Sequence, residues 1–489
     1  MIEIGAGTES LSLRIHETSK ELPRSAYMTL SHRWGTAEFL KLTTENYENL
    51  KRGFDISELP KTFRDAITIT WKFGIRYLWI DSLCIIQDSN KDWRQESASM
   101  GDVYENSTCN IAVTGVSGTD EGCFVNRNTH SIYPCRILSS WDLRPNYCYE
   151  IFNEDFWREN VIDAPLNRRG WVVQERLLAP RVIYYGGTQL FWECHEVDAC
   201  ETCPDGMNHP GLDHMFFDGF KRLDIDSYSQ RLETWSRIVA TYTSGDLTKP
   251  ADKLVAISGL ARKVQSRFGG QYLAGLWRES LASQLLWHCK RDRQCDDQPF
   301  GRVMTYRAPS WSWAAVDGSV EMLSDWSQLE CLVTITGAHV VPLGGDVMGQ
   351  VKGGHIELRG TILNADFRYL LSHMTMGIYG TIVTTFKDRV VELNGEIHPD
   401  YVSDDFGDES RRTTITMLPI LSKTKGDYPA SSHGLILQPV DDQPGVYKRR
   451  GMYKFRHRRY YDPSALGKDV LERLSGTFDV GDQETITLI

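Results

Sequence analysis

The spacing of apolar residues changes several times before Gly115, and each change marks an element. YMTLSH (27–32) is a short strand candidate that ends in a polar turn. LPKTFRDAITITWKFG (59–74) sets Phe63, Ala66, Ile67 and Thr70 at helical spacing, with Pro60 suited to a first helical turn and Gly74 to a stop. IRYLWIDSLCII (75–86) follows at once and reads as a nearly continuous buried strand, as in parallel sheets covered on both faces. Ser89 to Tyr104 is the next helix, with Ser89 or Asn90 as its cap, and CNIAVTG (109–115) is a third strand. This alternation predicts a parallel α/β sheet, in which ligands bind at the carboxyl ends of the strands.

The second helix breaks its own pattern. Trp93, Met100 and Tyr104 recur as an apolar stripe, and Glu96 and Ser97 fall where the stripe should continue. A carboxylate on that face serves chemistry, or it is structural, paired with an arginine or capping backbone amides.

Further along, helices are expected from about Trp171 in NRRGWVVQERLLAPR (167–181), in SYSQRLETWSRIVATYTS (227–244), in DKLVAISGLARKVQSRFG (252–269) with Asp252 as cap, and in AGLWRESLASQLLWHCK (274–290). After about Leu332 the chain turns to short alternating segments such as HIELRGTIL, RVVELNGEI, TTITMLPIL and HGLILQP, an antiparallel β region.

Length and charge narrow the classes. The 489 residues suit two or three domains, and a net charge of −11 disfavours a general nucleic-acid binder. No run approaches the roughly 18 apolar residues that span a bilayer. The N-terminal MIEIGAGTESLSLRIHETSK lacks the apolar core of a secretory signal, and the eleven cysteines are scattered. The expectation is a cytoplasmic protein without nucleic-acid or membrane partners.

Candidate chemistry gathers at the predicted strand ends. Ser31, His32 and Arg33 end the first strand and would share a cleft with Asp81. Arg33 or His32 would hold a pyrophosphate; alternatively this is a turn in which Trp34 packs and Gly35 permits a bend. Asp81 orients a ribose hydroxyl or caps the next turn. In RRGWVVQER (168–176), Arg169 and Trp171 would form a second wall, while Glu175 and Arg176 read as ion-pairing residues that lock the helix down. CHEVDACETC (194–203), with His209 nearby, has one good Cys-x-x-Cys pair where a structural zinc site usually has two ligand pairs, so no metal is expected. The basic run YKRRGMYKFRHRRYY (447–461) reads as a solvated strand pair or, less often, a nucleic-acid or lipid surface.

YMTLSHRWG (27–35), LWIDSLCIIQDSNKDWRQESASMGDVYENSTCNIAVTG (78–115), RRGWVVQERLLAPRVIYY (168–185) and FWECHEVDACE (191–201) resemble, in order, the blocks of the heterokaryon incompatibility (HET) domain of filamentous fungi. DLTKPADKLVAISGLA (246–261) and YRAPSWSWAAVDG (306–318) are similar to the extension that often follows it. Arg33 stands where the family often has a small or thiol residue. The resemblance implies a role in self/non-self recognition and cell death. It also implies three regions: a HET domain at 1–205, a helical associated region at 206–320 and a β-rich domain at 321–489.

A more distant likeness is to TIR domains, which have a flavodoxin-like sheet and in some cases cleave NAD with one glutamate. Their DW-x-x-E pattern is similar to Asp92-Trp93-Arg94-Gln95-Glu96. This implies Glu96 as the catalytic residue, NAD or a related nucleotide as substrate rather than cofactor, and control by self-association or a separate sensor protein. Residues 33–59 would then form a flap over the strand ends. The alternatives are a non-enzymatic assembly module or a HET fold recruited to other small-molecule chemistry.

Overall fold

A computed structural model describes residues 1–6, 11–18, 25–128, 132, 135–140, 148–151, 155–207, 228–290, 305–323, 329–369, 378–386, 389–400, 413–425, 428–456 and 483–489. Its contacts divide the chain into two units, Met1–Asp224 with Gly245–Leu247, and Ile225–Ser244 with Thr248–Ile489.

In chain order the first unit contains β1 (Ile2–Ala6), β2 (Leu11–Ile15), β3 (Tyr27–Ser31), α1 (Tyr47–Arg52), α2 (Lys61–Lys72), β4 (Tyr77–Ile80), α3 (Asp81–Cys84), α4 (Asn90–Glu105), β5 (Cys109–Val113), β6 (Cys135–Leu138), β7 (Cys148–Ile151), α5 (Gly170–Leu178), β8 (Arg181–Tyr185), β9 (Leu190–Cys194) and β10 (Asp198–Cys200). Eight of these strands make one sheet, in the order β10-β9-β8-β5-β3-β4-β1-β2. The expected parallel sheet is only its centre: β4, β3, β5 and β8 run parallel, and β1, β2, β9 and β10 add antiparallel flanks. Numbered among themselves, the parallel strands lie in the order 2-1-3-4, the start of the flavodoxin-like order, whose switch point falls between β3 and β5.

The alternation within β3 and β5 sorts the two faces. Met28, Leu30, Ile111 and Val113 join Leu78 and Ile80 in an apolar cluster with Phe63, Ala66 and Ile67 of α2. The residues between them, Thr29, Ser31 and Asn110, are buried and polar. On that second face Tyr104 of α4 meets Trp79 edge-on at 5.6 Å, and α5 is buried along nearly its whole length.

Two sequence readings fail in this unit. The run 75–86 is not one strand: β4 ends at Ile80, and the Asp81 carboxylate accepts from the Ser82 amide at 2.7 Å as the chain turns into α3. The chain stays apolar there because Ser82 and Leu83 remain buried through the turn. In the α4 stripe Met100 and Tyr104 are buried, but Trp93 is only half-buried. The segment 33–59 contains α1 and a 3-10 turn at Ile56–Glu58, and its backbone bonds to Ser82, Gln87 and Leu13.

The second unit begins with α6 (Tyr228–Thr243) and α7 (Ser258–Phe268). α7 starts at Ser258, six residues after the expected Asp252 cap, and stops at Gly269, which takes φ 71°. The expected helix at 274–290 is instead a short strand (Leu276–Trp277), one turn of helix (Leu281–Gln284) and another short strand (His288–Cys289). The β region is as expected. Leu363–Tyr369, Ile378–Phe386, Arg389–Pro399, Val446–Arg456, Tyr428–Pro439 and Thr413–Lys425 pair in that order, and the last pairs back to the first, so the pairing closes on itself and leaves these six strands without an open edge between them. Val446–Arg456 carries the basic run, whose residues 457–461 lie outside the described residues. Arg449 is not solvated: it is fully buried, paired with Asp400 and stacked 3.5 Å from the Trp287 ring centroid.

Candidate strand-end site

The polar residues of the second sheet face form one hydrogen-bonded group at the β3/β5 switch point. Thr29 Oγ1 donates to Asn110 Oδ1 at 3.0 Å, and Asn110 Nδ2 donates to Ser31 Oγ at 2.9 Å. Ser31 Oγ donates to Glu175 Oε2, which also accepts from the Tyr104 hydroxyl at 3.0 Å. Strand β3, helix α4 and helix α5 thus converge on one buried carboxyl group. Burial pushes Glu175 up to about 7; Arg169 and the Ser31 and Tyr104 hydroxyls hold it down, while Asp81 pushes it up.

Arg169 stands immediately before the first turn of α5 and donates from Nη1 to the His32 carbonyl. The His32 imidazole points to the other face, edge-on to Phe63 at 4.9 Å, with its Nε2 unpartnered among the described residues. Burial holds its pKa down at about 4, so it is neutral at ordinary pH; Asp81 opposes this and Arg169 adds to it. Asp81 accepts from the Trp34 indole at 2.9 Å, and Lys41 Nζ lies 5.0 Å from the Trp34 ring.

The structure therefore brings Ser31, Trp34, Asp81, Arg169 and the backbone carbonyl of His32 together, while the His32 side chain faces away. Arg33 acts on Glu121 of the loop after β5, whose pKa is lowered first by the Ser117 amide and least by Arg33. Trp171 is half-buried. Glu175 and Tyr104 were missed as site residues. Arg176 does lock the helix down, bonding Glu193 at 2.9 Å.

Glu96 sits on the second turn of α4. Ser89 caps this helix by accepting from the Asp92 amide at 3.2 Å, and Asp92 accepts from the Ile86 amide at 2.7 Å. Both capping tasks open to a carboxylate here are thus filled by other residues. Glu96 is half-buried and, among the described residues, makes no hydrogen bond or ion pair. Burial raises its pKa, Asp92 adds to the rise, and the Met1 amino group opposes it. Its charge is felt by Cys84, at the far end of the turn that Asp81 begins.

Residues 27–175 match the family model described as Heterokaryon incompatibility protein (HET). This segment is a HET domain. The match opens on the first residue of β3 and closes on Glu175, so the HET domain holds every residue of the buried network. Comparison with curated proteins and with solved structures returned no match. Among the described residues no three His, Cys, Asp or Glu side chains are grouped to hold a metal ion, and His209 lies outside them. Among the described residues no helix is long and apolar enough to cross a membrane.

Proposed function

We propose that this HET domain acts in fungal non-self recognition and cell death by hydrolysing NAD to nicotinamide and ADP-ribose, with Glu96 as the catalytic carboxylate. The supporting observation is the state of Glu96: half-buried, desolvated and without a hydrogen bond or ion pair among the described residues, on the helix that follows a parallel strand. An uncommitted carboxylate of this kind is suited to a cation that forms only during reaction. When the C1′–N bond of NAD breaks, the electron pair leaves with nicotinamide, which departs as a neutral base, and an oxocarbenium-like ribosyl cation remains. Glu96 stabilises that cation, water adds to C1′, and the water proton is lost to the carboxylate and then to solvent. Arg169 and the strand-end residues Ser31, Arg33, Trp34 and Asp81 would hold the rest of the dinucleotide, with Trp171 as an aromatic wall.

The test is nicotinamide release from NAD by the purified full chain, at several protein concentrations so that activation by self-association is also read. Glu96→Gln should abolish release at equal abundance. Undiminished release by that variant would make Glu96 structural. No release by the parent at any concentration would favour the non-enzymatic assembly module.

A further inference from the structure

The network around Glu175 has two complete hydrogen-bond arrangements that differ by one proton. A serine hydroxyl has one proton to give. With Glu175 ionised, Ser31 donates to Oε2 and accepts from Asn110 Nδ2, and Tyr104 also donates to Oε2. With Glu175 protonated, the acid proton goes to Ser31 Oγ and the Ser31 proton turns to Asn110 Oδ1, 3.3 Å away. Tyr104 then has the Leu30 carbonyl at 3.4 Å as its alternative acceptor. No buried group is stranded in either state, so the proton exchanges without breaking the fold.

That proton also sets the charge at the strand ends. The groups that face Glu175 are Ser31 from β3, Asp81 from α3, Tyr104 from α4 and Arg169 from the start of α5, with Asn110 of β5 behind Ser31. Arg176, next to it on α5, is committed to Glu193 of β9. His32 is neutral. Among the groups that face Glu175, Asp81 and Arg169 carry opposite charges, so ionising Glu175 makes the strand ends one unit more negative. An anion arriving at Arg169 is therefore less favoured when Glu175 is ionised than when it is protonated.

We propose that Glu175 is a proton gate for anion binding at the strand ends: an organic diphosphate enters with Glu175 protonated and is opposed when Glu175 is ionised. Glu175 is a positioning residue here, acting through Arg169. The inference rests on the strand ends being the nucleotide cleft, but not on the cleavage of NAD.

Infrared difference spectroscopy of the full chain, titrated through neutrality, tests it. The protonated-carboxyl band of Glu175, identified by its loss in Glu175→Gln, should disappear as pH rises through neutrality, and inorganic pyrophosphate should move that midpoint upward. Tyr104→Phe removes a donor to the charged form and should also raise the midpoint, which identifies the band if Glu175→Gln does not fold. A Glu175 ionised throughout the range, or a midpoint indifferent to pyrophosphate, overturns the gate. A midpoint moved by pyrophosphate in a protein that leaves NAD intact keeps the gate and removes the hydrolase reading.

Discussion

At the scale of single residues, partnership separates function from packing. Glu96 is desolvated without a compensating bond among the described residues, which costs free energy in the folded state. Glu96→Gln deletes a charge and keeps the shape, so its melting temperature should equal or exceed that of the parent even as activity is lost. A marked fall would mean that the carboxylate holds something in place. Arg449 is the contrasting case, a buried cation with a buried anion. Arg449→Ala leaves the Asp400 carboxylate without its guanidinium and opens space beside Trp287. It should cost about 3–5 kcal/mol, read as a lower denaturant midpoint. A midpoint like that of the parent would show that the pair contributes little.

At the scale of elements, the sheet brings its polar residues together by close backbone approach. The end of β5 passes the β8–β9 turn so closely that a Cβ on Gly115 would lie 2.6 Å from the Gly187 amide nitrogen and 2.7 Å from the Gly186 carbonyl carbon. Both atoms are backbone and cannot rotate away. Gly115→Ala should therefore separate β5 from that turn and cost about 1–3 kcal/mol, seen as a lower melting temperature. An unchanged melting temperature would show that the turn relaxes freely. α5 differs from an ordinary surface helix because Glu175 and Arg176 both point inward, each to its own hydrogen-bonded partners.

Across the whole chain, two kinds of buried titrating group set opposite pH responses. In the second unit His288 is held down at about 3, by burial first and by His398 next. Its native form stays neutral while the unfolded form takes a proton below its ordinary value of 6.5, so stability is lost as pH falls from 6.5 toward 3. In the first unit His32 pulls the same way, between 6.5 and about 4. Glu175 pulls the other way: its native form keeps a proton up to about 7 that the unfolded form releases near 4.5, so its contribution is present in acid and is lost as pH rises through 7. The two nearly cancel in the first unit. Calorimetry should therefore find the second unit's transition, identified by Arg449→Ala, falling between pH 6.5 and 5, while the first unit's transition, identified by Gly115→Ala, stays nearly level. Glu175→Gln should uncover an acid loss in the first unit. Equal acid sensitivity of the two transitions in the parent would contradict these assignments.

Local periodicity was enough to read β3, α2, α4, β5 and the antiparallel C-terminal region, because each pattern is set by residues a few positions apart. The Ser89 cap and the nearness of Ser31, Asp81 and Arg169 were legible for the same reason: strand ends and helix starts carry local signals; the His32 side chain, expected in the same cleft, turns to the Phe63 face. The break after Ile80 was not, since a buried turn is as apolar as a buried strand. The β1–β2 flank depends on pairing with β4, more than sixty residues away in the chain. Glu175 read as an ion-pairing residue, and its part in the strand-end network was hidden because its partners Ser31 and Tyr104 lie 144 and 71 residues away. In Glu96 the two levels meet. Sequence periodicity marks a carboxylate out of place, and only the tertiary structure decides that it makes no hydrogen bond or ion pair among the described residues, because desolvation and pairing are set by groups that folding brings together.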